Sequence, residues 1–323
     1  MGVIPQPQVA LLIPTRNRPK KVTKLLDSVC KSDFCPQQIV IVASGEDISP
    51  EISTYKSKLN ITYVFSEVAG QVHQKKLGLE VIEPEIGWVA FLDDDVIVCP
   101  ETFSSAFETI ESLELIERSQ ISGVGFRISP TSRVNNWGKL SKFIARVFLL
   151  YSDKLGVVLR SGQATSYQES EKPIYTQWLN GVSMWRRDIS LRYLCMELNS
   201  SYAACEDLIF SYQESKSGIL MFLPNSKVYF QDSDLTNFED IGVLRSAAYN
   251  RFSFVLSHKE LSKWLCAWSQ IGRSIYAINT APNRGLRNLR ILFRLNIEIF
   301  LVCLQPRLLK NFQKKAKSEQ SND

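Results

Sequence analysis

Three carboxylates stand in a row, Asp93, Asp94 and Asp95, directly after the apolar run Trp88 to Leu92 and before Val96-Ile97-Val98. Adjacent carboxylates at the end of a buried strand are costly unless water or a cation neutralises them. Hard divalent ions take oxygen ligands and bridge protein carboxylates to phosphates. Asp93 and Asp95 have the D-x-D spacing for Mg²⁺ or Mn²⁺, with Asp95 as the principal ligand. Asp93 and Asp94 then face a ribose or a metal-bound water. The competing reading is an exposed acidic turn, which the apolar residues on both sides disfavour.

A second acidic pair, Glu206-Asp207, sits where a helix is expected to begin, and acids favour a helix N-terminus in any protein. As chemistry, a carboxylate there accepts the proton of an attacking hydroxyl. Asp207 is the candidate base and Glu206 its orienting partner. Trp178, Asn180, Gly181 and Trp185 form a third group. Aromatic faces pack on sugar C–H faces, amides read hydroxyls, and a glycine lets backbone approach a ligand. Trp185 reads equally well as a buried core residue.

The elements that must position these groups follow from apolar patterning. Val9 to Ile13, Gln38 to Val42, Ile61 to Phe65 and Trp88 to Leu92 are short apolar-rich runs typical of strands. Helices are expected after Pro19, from Gln71 to Ile82, and after Pro100. Strands alternating with helices imply an α/β fold with a largely parallel sheet. Such sheets bind ligands at the carboxyl ends of their strands. Polar clusters stand at three of those ends: Pro14, Thr15, Arg16 and Asn17; Ser44 and Gly45; and the aspartate triplet. Arg16, Arg18, Lys75 and Lys76 lie nearby and are of the type that meets a diphosphate. Residues 129–176 carry no clear pattern.

In this order the motifs resemble the family 2 glycosyltransferases: Pro14 to Asn17, Ala43-Ser44-Gly45, Gly70 to Gly78, Asp93 to Asp95, Asn180-Gly181 to Arg186, and Glu206-Asp207. The resemblance covers about residues 8 to 232. It implies a GT-A fold, Rossmann-like with helices flanking the sheet, a nucleotide-sugar donor as co-substrate, a divalent metal and an inverting transfer to an acceptor hydroxyl. Thr15 and Asn17 would lie near base and ribose, Asp95 would hold the metal, and Asp207 would be the base. Ala43-Ser44 replaces an aspartate that reads uracil in many relatives, so UDP, dTDP and GDP all stay open. Lys76 stands where relatives often have asparagine. Gln231 or Asp232 takes the place of a metal-binding histidine after the last strand. The Q-x-x-R-W signature of processive polymerases is absent, although Arg245 and Tyr249-Asn250-Arg251 lie nearby. A nucleotidyltransferase and a non-catalytic nucleotide-binding scaffold of the same fold are the rival readings. Pro14 to Asn17 lacks the glycine-rich turn of the first.

Composition bounds the rest. A net charge of +5 over 323 residues makes no case for nucleic acid. The seven cysteines form no C-x-x-C pair, which disfavours zinc and a disulfide scaffold. No secretory signal or spanning helix is visible, so a cytoplasmic protein is expected. The division expected from pattern is a transferase domain over 1–235 and a basic helical extension over 236–323. From Arg284 to Lys317 basic residues face a single acid, Glu298, and leucines and isoleucines are interleaved with them. That pattern suits either peripheral attachment to an anionic membrane face, bringing the site to a glycan or lipid-linked acceptor, or docking on the catalytic domain.

Overall fold

A computed structural model describes residues 7–129, 139–198, 203–231, 241–280 and 285–320. Asp232 and Arg284 lie outside the described residues. The chain packs as two compact units that are not collinear with the sequence. The first draws on Met1–Val134, Gln168–Met196 and Phe210–Ser233; the second draws on Asn135–Tyr167, Glu197–Ile209 and Asp234–Asp323. The helical unit therefore takes in two stretches lying before residue 236.

The first unit is built on one sheet. Strands β1 (Val9–Arg16), β2 (Gln38–Ser44), β3 (Ile61–Ser66) and β4 (Trp88–Phe91) run parallel in the order β3-β2-β1-β4. The sheet continues through β8 (Ser183–Arg186), β6 (Ile121–Ser129), β9 (Ile219–Phe230) and β5 (Val96–Val98), with β7 (Ile174–Thr176) also on β9. β8 is antiparallel to both β4 and β6, and β5 and β7 are antiparallel to β9. The sheet is thus mixed on this side, with parallel pairing recurring only between β6 and β9.

β1 and β2 read as continuous apolar runs because helices cover both faces, whereas the edge strand β3 is only half-buried. Val9, Leu11 and Ile13 of β1 share a core with Val22, Leu25 and Leu26 of α1 (Pro19–Val29) and with Phe103, Ala106 and Ile110 of α4 (Thr102–Glu111). On the opposite face α3 (Gln71–Glu80) lies flat across β1 and β2. A side chain at Gly78 would begin 2.9 Å from Leu12 and 3.1 Å from Val42. Pro19 in the first turn suits α1, because that N–H has no intrahelical partner. Trp185 on β8 is 2% exposed, meets Phe210 edge-on at 4.8 Å and lies over Gly123.

The second unit is helical: α6 (Lys139–Val147), α9 (Ile241–Ser257), α10 (Lys263–Thr280), α11 (Gly285–Leu304) and α12 (Leu308–Gln320). α11 buries Leu292, Leu295, Ile299 and Val302 and packs on α9, α10 and α12. Its apolar stripe is broad, and Phe293, Ile297, Phe300 and Leu304 remain exposed. No helix among the described residues is long and apolar enough to cross a membrane.

Candidate functional site

The aspartate triplet forms the turn between β4 and β5, at the carboxyl end of the parallel strands. Its three side chains have different surroundings. Asp94 is turned inward and buried. Its Oδ2 accepts a 2.6 Å hydrogen bond from Thr15 Oγ1, and its Oδ1 accepts one of 3.1 Å from Arg18. Burial raises its pKa, with Asp95 adding to the rise, while the Thr15 hydrogen bond and the Arg18 charge oppose it. Asp95 is more open and lies 3.7 Å from Arg18 and 3.6 Å from Lys21. Asp93 Oδ1 accepts from Gln71 Nε2 at 3.1 Å, and a side chain at Gly181 would start 3.7 Å from Asp93 Oδ2. Asp93 and Asp95 are half-buried, whereas Asp94 is buried and both its oxygens hold the ends of β1 and α1.

The surrounding backbone is bolted by side-chain amides. Gln74 on α3 donates to the carbonyls of Thr15 and Val42, 2.7 Å each, where β1 and β2 leave the sheet. Gln231, just beyond β9, donates to the carbonyls of Lys21, Asp94 and Val96. Its own N–H donates to Asp95 O at 2.8 Å, and its Oε1 is buried with no donor. At the β1 end Asn17 adopts φ 54 and accepts from the Glu46 N–H at 2.8 Å. Gly45 must be glycine there, with φ 80 and a virtual Cβ only 2.2 Å from Asn17 Oδ1.

The other expected residues divide as follows. Arg16 is exposed, while Pro14 and Ser44 are buried in the strands, the Ser44 hydroxyl without a partner. Lys76 is half-buried on α3, and Lys75 is buried with its ammonium over Phe91 and Tyr193. Trp178 and Asn180 are half-buried, whereas Trp185 presents no open ring face, its Nε1 donating to Ser183 Oγ at 2.9 Å. Glu206 and Asp207 open α8 (Glu206–Glu214), and Glu206-Asp207 belongs to the second unit. Glu206 is buried; Asp207 is half-buried and accepts from the Leu208 N–H at 2.8 Å. The residue before them, Cys205, has φ 68, unusual for a side chain-bearing residue. α9 holds this turn: Asn250 donates to Ala204 O at 2.8 Å and Arg251 to Cys205 Sγ at 3.2 Å. Lys21, Gln71 and Gln74 were not anticipated. The spacing of Gln71 and Gln74 on one face at the start of a helix was their signal.

The glycosyl transferase family 2 profile matches residues 10–158, the stretch that carries β1 to β4 and the triplet. The match spans less than half of the chain, and the α/β sheet is of GT-A type. Solved structures share the fold: residues 1–349 of TarS from S. aureus match at 18% identity and a TM-score of 0.55, over 96% of this chain and 87% of that one. The mannosyltransferase PcManGT of Pyrobaculum calidifontis matches at 14% identity and a TM-score of 0.54, over 97% and 86%. GalNAc-T7 matches at 11% and 0.55, over 83% of this chain and 51% of that chain. No curated protein matches in sequence.

Proposed function

We propose that this chain is a glycosyltransferase that moves a sugar from a nucleotide-sugar donor to an acceptor hydroxyl, with inversion and with a divalent cation at Asp95. The observation that carries this reading is the triplet turn. It sits at the carboxyl end of the parallel strands, with Asp94 buried and locking the turn onto Thr15 and Arg18 while Asp93 and Asp95 are half-buried. TarS has been seen with UDP-GlcNAc, PcManGT with GDP-Man and Mn²⁺, and GalNAc-T7 with UDP, GalNAc and Mn²⁺.

The residues fit such an ion. Asp95 already attracts two cationic side chains, and the Gln231 oxygen beside the turn lacks a donor. Among the described residues no group of three or more metal-ligating side chains forms a cage. Mg²⁺ is commonly held by one or two carboxylates together with substrate phosphates and water. Asp95, with Asp93, would hold the ion, which would neutralise the departing diphosphate. Arg18 and Lys21 would lie beside the same phosphates. Thr15, Asn17 and Gly45 shape the rim for base and ribose, and Asp207 takes the acceptor's proton with Glu206 behind it.

A panel of nucleoside diphosphates, with and without Mn²⁺, tests the reading by thermal shift, since binding to the native state raises apparent stability. Mn²⁺-dependent stabilisation by one base is expected. A panel with no stabilisation would refute the donor reading. The acceptor is proposed to be a lipid-linked glycan of cell-surface assembly at the cytoplasmic membrane face. Exposed Trp264, Trp268, Phe293 and Phe300, with Arg290 and Arg294 close in sequence on α11, supply the apolar and cationic parts of a lipid-surface contact. Liposome flotation should show salt-sensitive binding that rises with anionic lipid and is lost when Trp264 and Phe293 are both changed to Ser. Equal flotation of both proteins would remove the membrane role.

A further inference from the structure

The helical unit holds two arginines, one buried and one half-buried, that no carboxylate among the described residues answers. Arg251, on α9, is 7% exposed. Its Nη2 points to the thiol of Cys205, a weak acceptor, while Nε and Nη1 are buried with no hydrogen-bond partner. Arg273, on α10, donates from Nη1 to Gln163 Oε1 at 2.9 Å. Gln163 is buried in turn and donates to Ser269 Oγ. The loop carrying Gln163 is pressed onto α9: a side chain at Gly162 would start 2.4 Å from Val255 and 3.5 Å from Arg251 Cγ. Arg251 and Arg273 therefore lie together where α9, α10 and this loop meet. The proximity of Arg251 is the main reason that Arg273 holds its proton less tightly than usual, with burial second.

Neither guanidinium forms an ion pair with a carboxylate among the described residues. Glu298, the acid of α11, accepts instead from Tyr249 and Arg294. The Cys266 thiol is pushed up to about 12, chiefly by burial, so it supplies no negative charge at neutral pH. Two like charges side by side, one of them buried with unused donors, are unfavourable without a counter-charge. Guanidinium groups match the oxygen geometry of phosphate better than any other side chain.

We propose that Arg251 and Arg273 bind a phosphate or diphosphate oxyanion of one substrate, beside the Cys205 turn that carries Glu206 and Asp207. The link to a substrate rests on the transferase reading above; the anion site does not. Two sources share this chemistry: the nucleotide diphosphate of the donor and a diphosphate on a lipid-linked acceptor.

The test is thermal unfolding of the full chain at low ionic strength in EDTA, titrated with inorganic pyrophosphate. A saturable rise in Tm is expected for the unaltered protein and its loss in both Arg251→Met and Arg273→Gln, with partial retention in Arg251→Lys. Two different replacements guard against one failing to fold. No rise in the unaltered protein, or an equal rise in every variant, overturns the proposal. Farnesyl diphosphate and UDP or GDP then replace pyrophosphate. An Arg251-dependent rise with the first names the acceptor, and one with a nucleotide names the donor. Asp95→Ala separates the two ideas. It should keep the pyrophosphate response while losing Mn²⁺-dependent nucleotide binding, so the failure of either property is seen without the other.

Discussion

Gly45→Ala probes the rim of the site through one backbone position. The residue has φ 80, and an added Cβ would meet Asn17 Oδ1 at 2.2 Å. A left-handed backbone costs an L-residue about 1–2 kcal/mol. Asn17 must also move, giving up its hydrogen bond to the Glu46 N–H, worth about 0.5–1.5 kcal/mol net. The expected loss is therefore about 1.5–3.5 kcal/mol. In an Asn17→Gly background the oxygen and its hydrogen bond are already gone. Gly45→Ala should then cost only the backbone part, about 1–2 kcal/mol. Urea unfolding of the four proteins gives the coupling between the two sites, expected at about 0.5–1.5 kcal/mol, the size of the hydrogen bond that only one background can lose. Equal costs in the two backgrounds would refute the view that Asn17 forces glycine at 45. In the heat each kcal/mol lowers Tm by about 2–4 °C for a domain of ~150–250 residues, so calorimetry can check the same order of variants.

Other outcomes follow from the same geometry. Asp95→Ala should remove Mn²⁺-dependent nucleotide binding in a thermal-shift assay with the melting of the free protein little changed; unaltered binding would move the metal elsewhere. Asp207→Asn should retain nucleotide affinity and lower transfer by roughly 10²-fold or more, measured as product formed per enzyme; if Glu206→Gln is inactive and Asp207→Asn active, the base is the other residue. Burial raises the Asp94 pKa above its ordinary 3.8. The native state then takes up a proton at higher pH than the unfolded chain does. The part of stability contributed by Asp94 therefore grows as pH falls through its folded pKa, is complete below 3.8, and is lost as pH rises back through that window. Urea unfolding across this window should show the unaltered protein gaining on Asp94→Asn as pH falls, and a pH-independent gap would contradict it.

Three of the four N-terminal strands were legible because burial on both faces makes β1, β2 and β4 short apolar runs, while the half-buried edge strand β3 showed itself by its β-branched and aromatic residues. The triplet was legible because three acids interrupt such a run. β7 is three residues long, too short to show a period, so residues 129–176 yielded nothing, and the antiparallel pairings of the mixed half join strands far apart in sequence. Trp185 illustrates a different limit. An indole reads alike on a sugar platform and in a core, and only Gly123 on a neighbouring strand decides for the core. The Thr15–Asp94 bond joins residues 79 apart in sequence, a pairing no local spacing announces. Asp94 and Asp95 were given different roles for a reason that spacing could not supply: alternate side chains of a turn face inward and outward.

The boundary expected at residue 235 makes the last helices look like an appendix that could be trimmed or exchanged. The hydrogen bonds from Asn250 to Ala204 and from Arg251 to Cys205 say otherwise. The turn that presents Glu206 and Asp207 is threaded into α9, a helix more than thirty residues later in the chain. Ser262 N–H reaches back to Arg160 O in the same unit. A protein stopped before Ile241 would strip these supports from residues it still contains. Recombination or chimera-building that swaps the C-terminal quarter between relatives would therefore have to carry residues 135–167 and 197–209 along with it, as one inherited block made of three pieces of gene.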